Sequence, residues 1–142
     1  MDEAFFIQYL TKTFENVKQV VSEGNSFFFY GSDHKMPFTT IMANSKYDQN
    51  SNLDRDGIFR LNLGLSKSTY LSLFPSSPES TKSYDYTTLD RLMPHPEYNQ
   101  MFWICVLNPS PTTFQTVKPL LAEAYDLAAN RTAKRSEFQK ES

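Results

Sequence analysis

His95 stands between two prolines, in the run Met93-Pro94-His95-Pro96, and is the residue whose setting best suits it for chemistry. A proline fixes its own φ and biases the residue before it towards extended backbone, so the imidazole loses little freedom on ordering. A neutral imidazole near pH 7 can serve as base, hydrogen-bond donor or ligand. Asp90 and Arg91 lie just upstream and Tyr98 just downstream, and Arg60, from a separate apolar stretch, can reach the same region. Arg60, Asp90, Arg91, His95 and Tyr98 are therefore the candidate pocket, with the chemistry of a small anion-binding or acid–base site. The plainer alternative carries more weight: a rigid loop whose imidazole satisfies a backbone group.

Other constellations dissolve on inspection. Asp48-Gln49-Asn50-Ser51-Asn52 opens like a calcium loop, but Leu53 stands where the sharp turn needs glycine and Phe59 where a bidentate glutamate belongs. His34 and His95 could meet beside Asp33 or Asp90, yet zinc needs three or four converging ligands, so neither a metal nor a cofactor is expected. Only 4 glycines are present and none forms a phosphate-cradling motif, which counts against nucleotide binding by those modes. Cys105 lies inside the apolar run FWICVL and reads as a small core side chain rather than a nucleophile.

These side chains must be positioned by a mixed set of elements. Residues 2–16 predict a helix with Asp2 as N-cap and an apolar stripe through Phe6, Leu10, Phe14 and Val17. Val17–Glu23, Ser26–Tyr30 and Phe38–Ala43 predict strands, with links too short for anything but an antiparallel meander. Residues 44–57 predict a polar loop, Ile58–Leu65 a fourth strand, and Ser66–Phe74 a short helix that stops at Pro75. Residues 76–83 have the composition of a surface loop. Phe102–Leu107 predicts a further strand. Ser110 and Pro111 open a last helix running to Asn130, with Pro119 inside it as an expected kink or late start. The expected core takes Phe6, Leu10 and Phe14 from the first helix and Phe114, Val117, Leu121 and Tyr125 from the last. The strands contribute Phe29, Ile41, Phe59, Leu61, Trp103 and Cys105. The expected fold is α+β in two layers: an antiparallel sheet of about five strands, covered on one face by the N- and C-terminal helices. In the run Phe27-Phe28-Phe29-Tyr30 the alternate pairs face opposite ways, so a sheet covered on one side would leave one pair open as a dimer interface.

Length and charge set the outer bounds. The 142 residues suit one domain, read as 1–130 with a charged tail over 131–142. Aromatic content is 15%, with 12 Phe and 8 Tyr, which favours strands and a large buried area. Lys and Arg number 14 against 16 Asp and Glu, and that balance counts against binding nucleic acid. The sole cysteine, the acidic N-terminus and the absence of any long apolar run point to a cytoplasmic protein without membrane attachment.

The segments SFFFYGSDHKMPFTT, LDRDGIFRLNLG, YDYTTLDRLMPHPEY and WICVLNPSPTTFQTVKPLLAEAYDLA together resemble a family of small bacterial proteins classed as a domain of unknown function. More distantly, Trp103 followed by Leu120-Leu121-Ala122-Glu123-Ala124-Tyr125 is similar in order and spacing to MmcQ/YjbR-like proteins. That likeness implies the same helix, sheet, helix order, and some members are described as having a double-winged DNA-binding shape. The His-Leu-Asn-Lys-x-His-Trp segment of that group has no counterpart here, where Met101-Phe102 precede Trp103, so no site residue is carried over. Three functions are expected from this reading. First is a binding module for a small molecule, a protein or a second copy. The alternatives are a small hydrolase or transferase using His95 with Asp90 or Arg91 (or Arg60), and nucleic-acid binding through a local basic patch.

Overall fold

The structure is a computed structural model describing residues 1–33, 35–75 and 83–141, with side chains described as far as residue 135. His34 and most of the loop expected over 76–83 lie outside the described residues. The described elements are α1 (Glu3–Thr13), β1 (Val17–Ser22), β2 (Asn25–Tyr30), β3 (Thr39–Met42), β4 (Arg60–Gly64), α2 (Lys67–Leu73), β5 (Met93–Pro94), β6 (Trp103–Leu107) and α3 (Pro111–Glu141).

The strands form one antiparallel sheet in the order β1-β2-β3-β4-β6-β5. Short links force the first three strands into a meander. The chain then detours through a polar loop to β4, and after α2 it reaches β5 and β6. The sixth strand, β5, exceeds expectation. It is only two residues long and lies at the edge, where Pro94 can sit because its missing N–H faces away from the ladder.

Local signals set the helix starts. The Asp2 carboxylate accepts from the Phe5 N–H (2.9 Å), and the Ser66 hydroxyl accepts from the Thr69 N–H (3.2 Å). Ser110 does the same for Thr113 in the first turn of α3 (3.2 Å). Pro119 lies within α3, which continues past the expected end at Asn130 to Glu141. Arg135 on that extension donates to Asp33 at 2.7 Å, tying it to the turn after β2.

Helices α1 and α3 cover one sheet face, and side chains paired across the strands meet them there. Phe28, Ile41, Leu61, Leu63, Ile104 and Val106 bury against Phe6, Leu10, Val117 and Leu121. Each such fully buried apolar side chain contributes roughly 1.5–3 kcal/mol. The expected core is corrected at Phe29. Phe28 rather than Phe29 faces the helices, because strand alternation sends Phe29 with Phe27 to the other side. Trp103 and Cys105 are buried as expected, on the face away from the helices. That second face is not bare: the loops around Leu53 and Tyr86 fold onto it and bury Met93, Cys105 and Leu107 in a smaller cluster. The cover stops partway across the sheet, and the uncovered part forms a cleft.

Candidate functional site: a cleft on the second face of the sheet

Alternation places Thr40, Met42, Arg60 and Asn62 on the second face with Phe27 and Phe29. An arginine there would be a stranded charge without partners. The loop between β3 and β4 supplies them. Asp48 and Ser51 turn inward, so that Arg60 donates to the Asp48 carboxylate through Nη2, to Ser51 Oγ through Nη1 (2.8 Å) and to Asn62 Oδ1 through Nε (2.9 Å). Arg60 is 1% exposed, and Asp48 and Ser51 are also buried. Asp48 Oδ1 accepts from both the backbone and the side chain of Asn50, completing an Asx turn that aims the other oxygen at Arg60. Burial pushes the Asp48 carboxyl up, but hydrogen bonds and charge from Arg60, with the Asn50 donors, outweigh it and hold the group below the usual carboxylate range. The residues that open like a calcium loop thus serve as a ligand set for a guanidinium.

His95 approaches from the other side. Its backbone N–H donates to the Trp103 carbonyl (2.9 Å), which continues the β5–β6 ladder by one residue. Its Nδ1 accepts from the backbone N–H groups of Glu97 (3.0 Å) and Tyr98 (3.0 Å). A backbone N–H can only donate, so Nδ1 is unprotonated and the neutral ring carries its proton on Nε2. Burial, then the charge of Arg60, push the imidazole down to about 3 against the opposing pull of Asp48. Tyr98 lies beside the ring (centroids 4.9 Å apart), and Trp103 meets it edge-on at 6.4 Å.

Two local features place Trp103. The chain leaves a short 3-10 turn over Asn99–Met101 through Phe102, whose φ of 67° is left-handed and strained for a bulky residue. On the neighbouring strand, Gly64 leaves room for the indole: a Cβ there would lie 2.7 Å from Trp103 Nε1.

Together these residues bound a cleft of about 690 Å³. Its walls are Phe27, Phe29, Met36, Pro37, Met42, Tyr47, Tyr98, Met101 and Trp103, its polar floor is Thr40, Asp48, Arg60 and His95, and Lys35 and Glu97 stand at the rim. That size lies within the roughly 300–1,000 Å³ of small-molecule sites, and an apolar wall around a few convergent polar groups is their usual lining.

Of the five candidate residues, Arg60, His95 and Tyr98 line this cleft together. Asp90 and Arg91 do not. Asp90 accepts from the Ser110 N–H (2.7 Å) at the start of α3, and the Arg91 guanidinium lies 5.0 Å over the Tyr84 ring. Sequence reasoning did not find Asp48 or Thr40 as site residues, and it left open which pair of the run Phe27-Phe28-Phe29-Tyr30 would be uncovered. One signal was available: Arg60 and Asn62 alternate with Phe59, Leu61 and Leu63, marking one strand face as polar. Asp48 comes from a loop, where no periodicity points to a partner. Among the described residues, no cluster of three His, Cys, Asp or Glu side chains could hold a metal ion, and no helix is long and apolar enough to cross a membrane. Cys105 is fully buried beneath the covering loops, and its thiol is pushed up to about 12 by burial first.

A protein from Pseudomonas syringae, a structural-genomics target with a crystal structure, superposes with a TM-score of 0.57 at 17% identity, covering 90% of this chain and 99% of its own. That likeness speaks to fold alone. Comparison with curated proteins finds no match. A family model described as a family of unknown function, DUF6194, matches residues 1–137. The chain belongs to that family.

Proposed function

We propose that this DUF6194 chain is a binding module that takes a small molecule in the cleft between β2, β6 and the loop carrying Asp48. The carrying observation is a concave apolar wall closed by a polar floor whose charges are already satisfied within the chain. Binding sites orient ligands with a few fixed polar groups, whereas acid–base sites need a group that exchanges a proton near the working pH. His95 does not suit the second role. Its Nδ1 is occupied by two donors, and its pKa is driven far below neutrality. The hydrolase or transferase alternative would therefore need a proton carrier other than His95, and Asp90 accepts from the Ser110 N–H outside the cleft. The near-equal count of basic and acidic residues gives nucleic acid no supporting field.

The test is an amide and methyl NMR screen of the labelled chain with uncharged aromatic fragments. Shifts should concentrate at the Trp103 indole N–H and at the Met36, Met42 and Met101 methyls. Absence of any saturable shift at these groups up to about 1 mM, a weak affinity for fragments, would remove the reading.

A further inference from the structure

Arg60 has donors and no acceptor, and this dictates the direction of every hydrogen bond that follows from it. Asn62 must present Oδ1 to the Arg60 Nε–H (2.9 Å), so its amide nitrogen faces the other way and donates to Thr40 Oγ1 (3.0 Å). Thr40 Oγ1 is thereby an acceptor within the chain, and among the described residues none takes its proton. Thr40 lines the cleft. His95 is fixed by the same logic from the opposite side: two backbone donors occupy Nδ1, leaving Nε2–H. The floor thus offers two donors whose polarity is set by donor-only partners behind them.

Charge adds a second constraint. Among the described residues, the ionised side chains lining the cleft are Lys35 and Arg60 against Asp48 and Glu97, formally balanced. Arg60 is spent on Asp48, Ser51 and Asn62. A ligand carboxylate or phosphate would give up its hydration without gaining an unpaired cation at the floor. The walls that flank the donors carry the aromatic rings of Phe27, Phe29 and Trp103.

We infer that the ligand is an uncharged, flat, ring-bearing molecule that presents a carbonyl-type hydrogen-bond acceptor to Thr40 and His95. This rests on the binding reading above and deepens it: the cleft selects for acceptor character and against charge.

Three probes of one shape decide it: 2-acetylnaphthalene, 2-ethylnaphthalene and 2-naphthoate, titrated by NMR at the Trp103 indole N–H. The ketone is expected to bind about fivefold or more tighter than the ethyl compound, the worth of one net hydrogen bond, and tighter than the carboxylate. Thr40→Val should abolish the ketone's advantage over the ethyl compound, and Thr40→Ser should retain it. Equal affinity of ketone and ethyl compound overturns the donor assignment while leaving the binding reading intact. Preference for 2-naphthoate overturns the exclusion of charge. Failure of all three to bind removes the binding reading and this inference together. If Thr40→Val does not fold, the three-probe ranking on the unaltered chain and on Thr40→Ser still decides the outcome.

Discussion

The guanidinium of Arg60 and the carboxylate of Asp48 form an ion pair 1% and 7% exposed, one partner from the middle of a sheet and the other from the loop that folds over it. Two charges are costly to bring this far from water, and the pair is tolerable because Ser51, Asn62 and Asn50 satisfy the surrounding hydrogen bonds. The pair pins the β3–β4 loop to the sheet and so shapes one wall of the cleft.

Breaking one side of this pair should be far worse than removing both. Asp48→Ala leaves a buried guanidinium and is expected to cost about 3–5 kcal/mol in urea unfolding. The double change Asp48→Leu with Arg60→Met should recover most of that loss, since well-packed apolar replacements of buried pairs are often neutral. A double variant no more stable than Asp48→Ala would show that the charges themselves hold the loop.

Stability should fall on acidification before most carboxylates titrate. An unfolded His95 takes up its proton near pH 6.5, whereas the folded one does so only near 3, so the unfolded state binds more protons throughout that window. Between pH 7 and 5 this amounts to about 2 kcal/mol lost, at about 1.4 kcal/mol per unit of pH below 6.5. Asp48, with its carboxyl held low, adds to the loss as pH falls below 3.8. Urea unfolding of the unaltered chain and of His95→Asn at both pH values checks this, and the variant should be nearly flat between them. Parallel losses in the two proteins would place the acid sensitivity elsewhere.

Gly64→Ala should disturb the cleft without touching its polar floor. The added Cβ would stand 2.7 Å from the indole, closer than side chains tolerate, so Trp103 must move. Because Trp103 is the only tryptophan, its fluorescence spectrum reports the displacement directly. A shifted emission maximum is expected, with the cleft's fragment affinity falling several-fold, about 1 kcal/mol. An unchanged spectrum would mean that the backbone yields instead of the indole.

Much of the fold was legible because it rests on local signals. The stripe Phe6–Leu10 and the cap Asp2 mark α1. The apolar run ending at Leu107 marks β6, and the short links after β1 and β2 allow only antiparallel neighbours. Phe28 and Phe29 show where that legibility ends. Alternation separates them onto opposite faces, but which face receives helices depends on the packing of segments far away in sequence.

The site divides along the same line. From the sequence alone came a constrained imidazole at His95, an arginine at Arg60 in an alternating strand, and a tyrosine at Tyr98 close behind, since each is a local property of residue type and spacing. Tertiary structure alone decided that Asp48 would neutralise Arg60, that Asp90 would serve α3 instead of the cleft, and that His95 would lose its basicity. Pairing, burial and proton affinity arise from which segments are brought together and how much water is expelled between them, and a one-dimensional pattern contains neither.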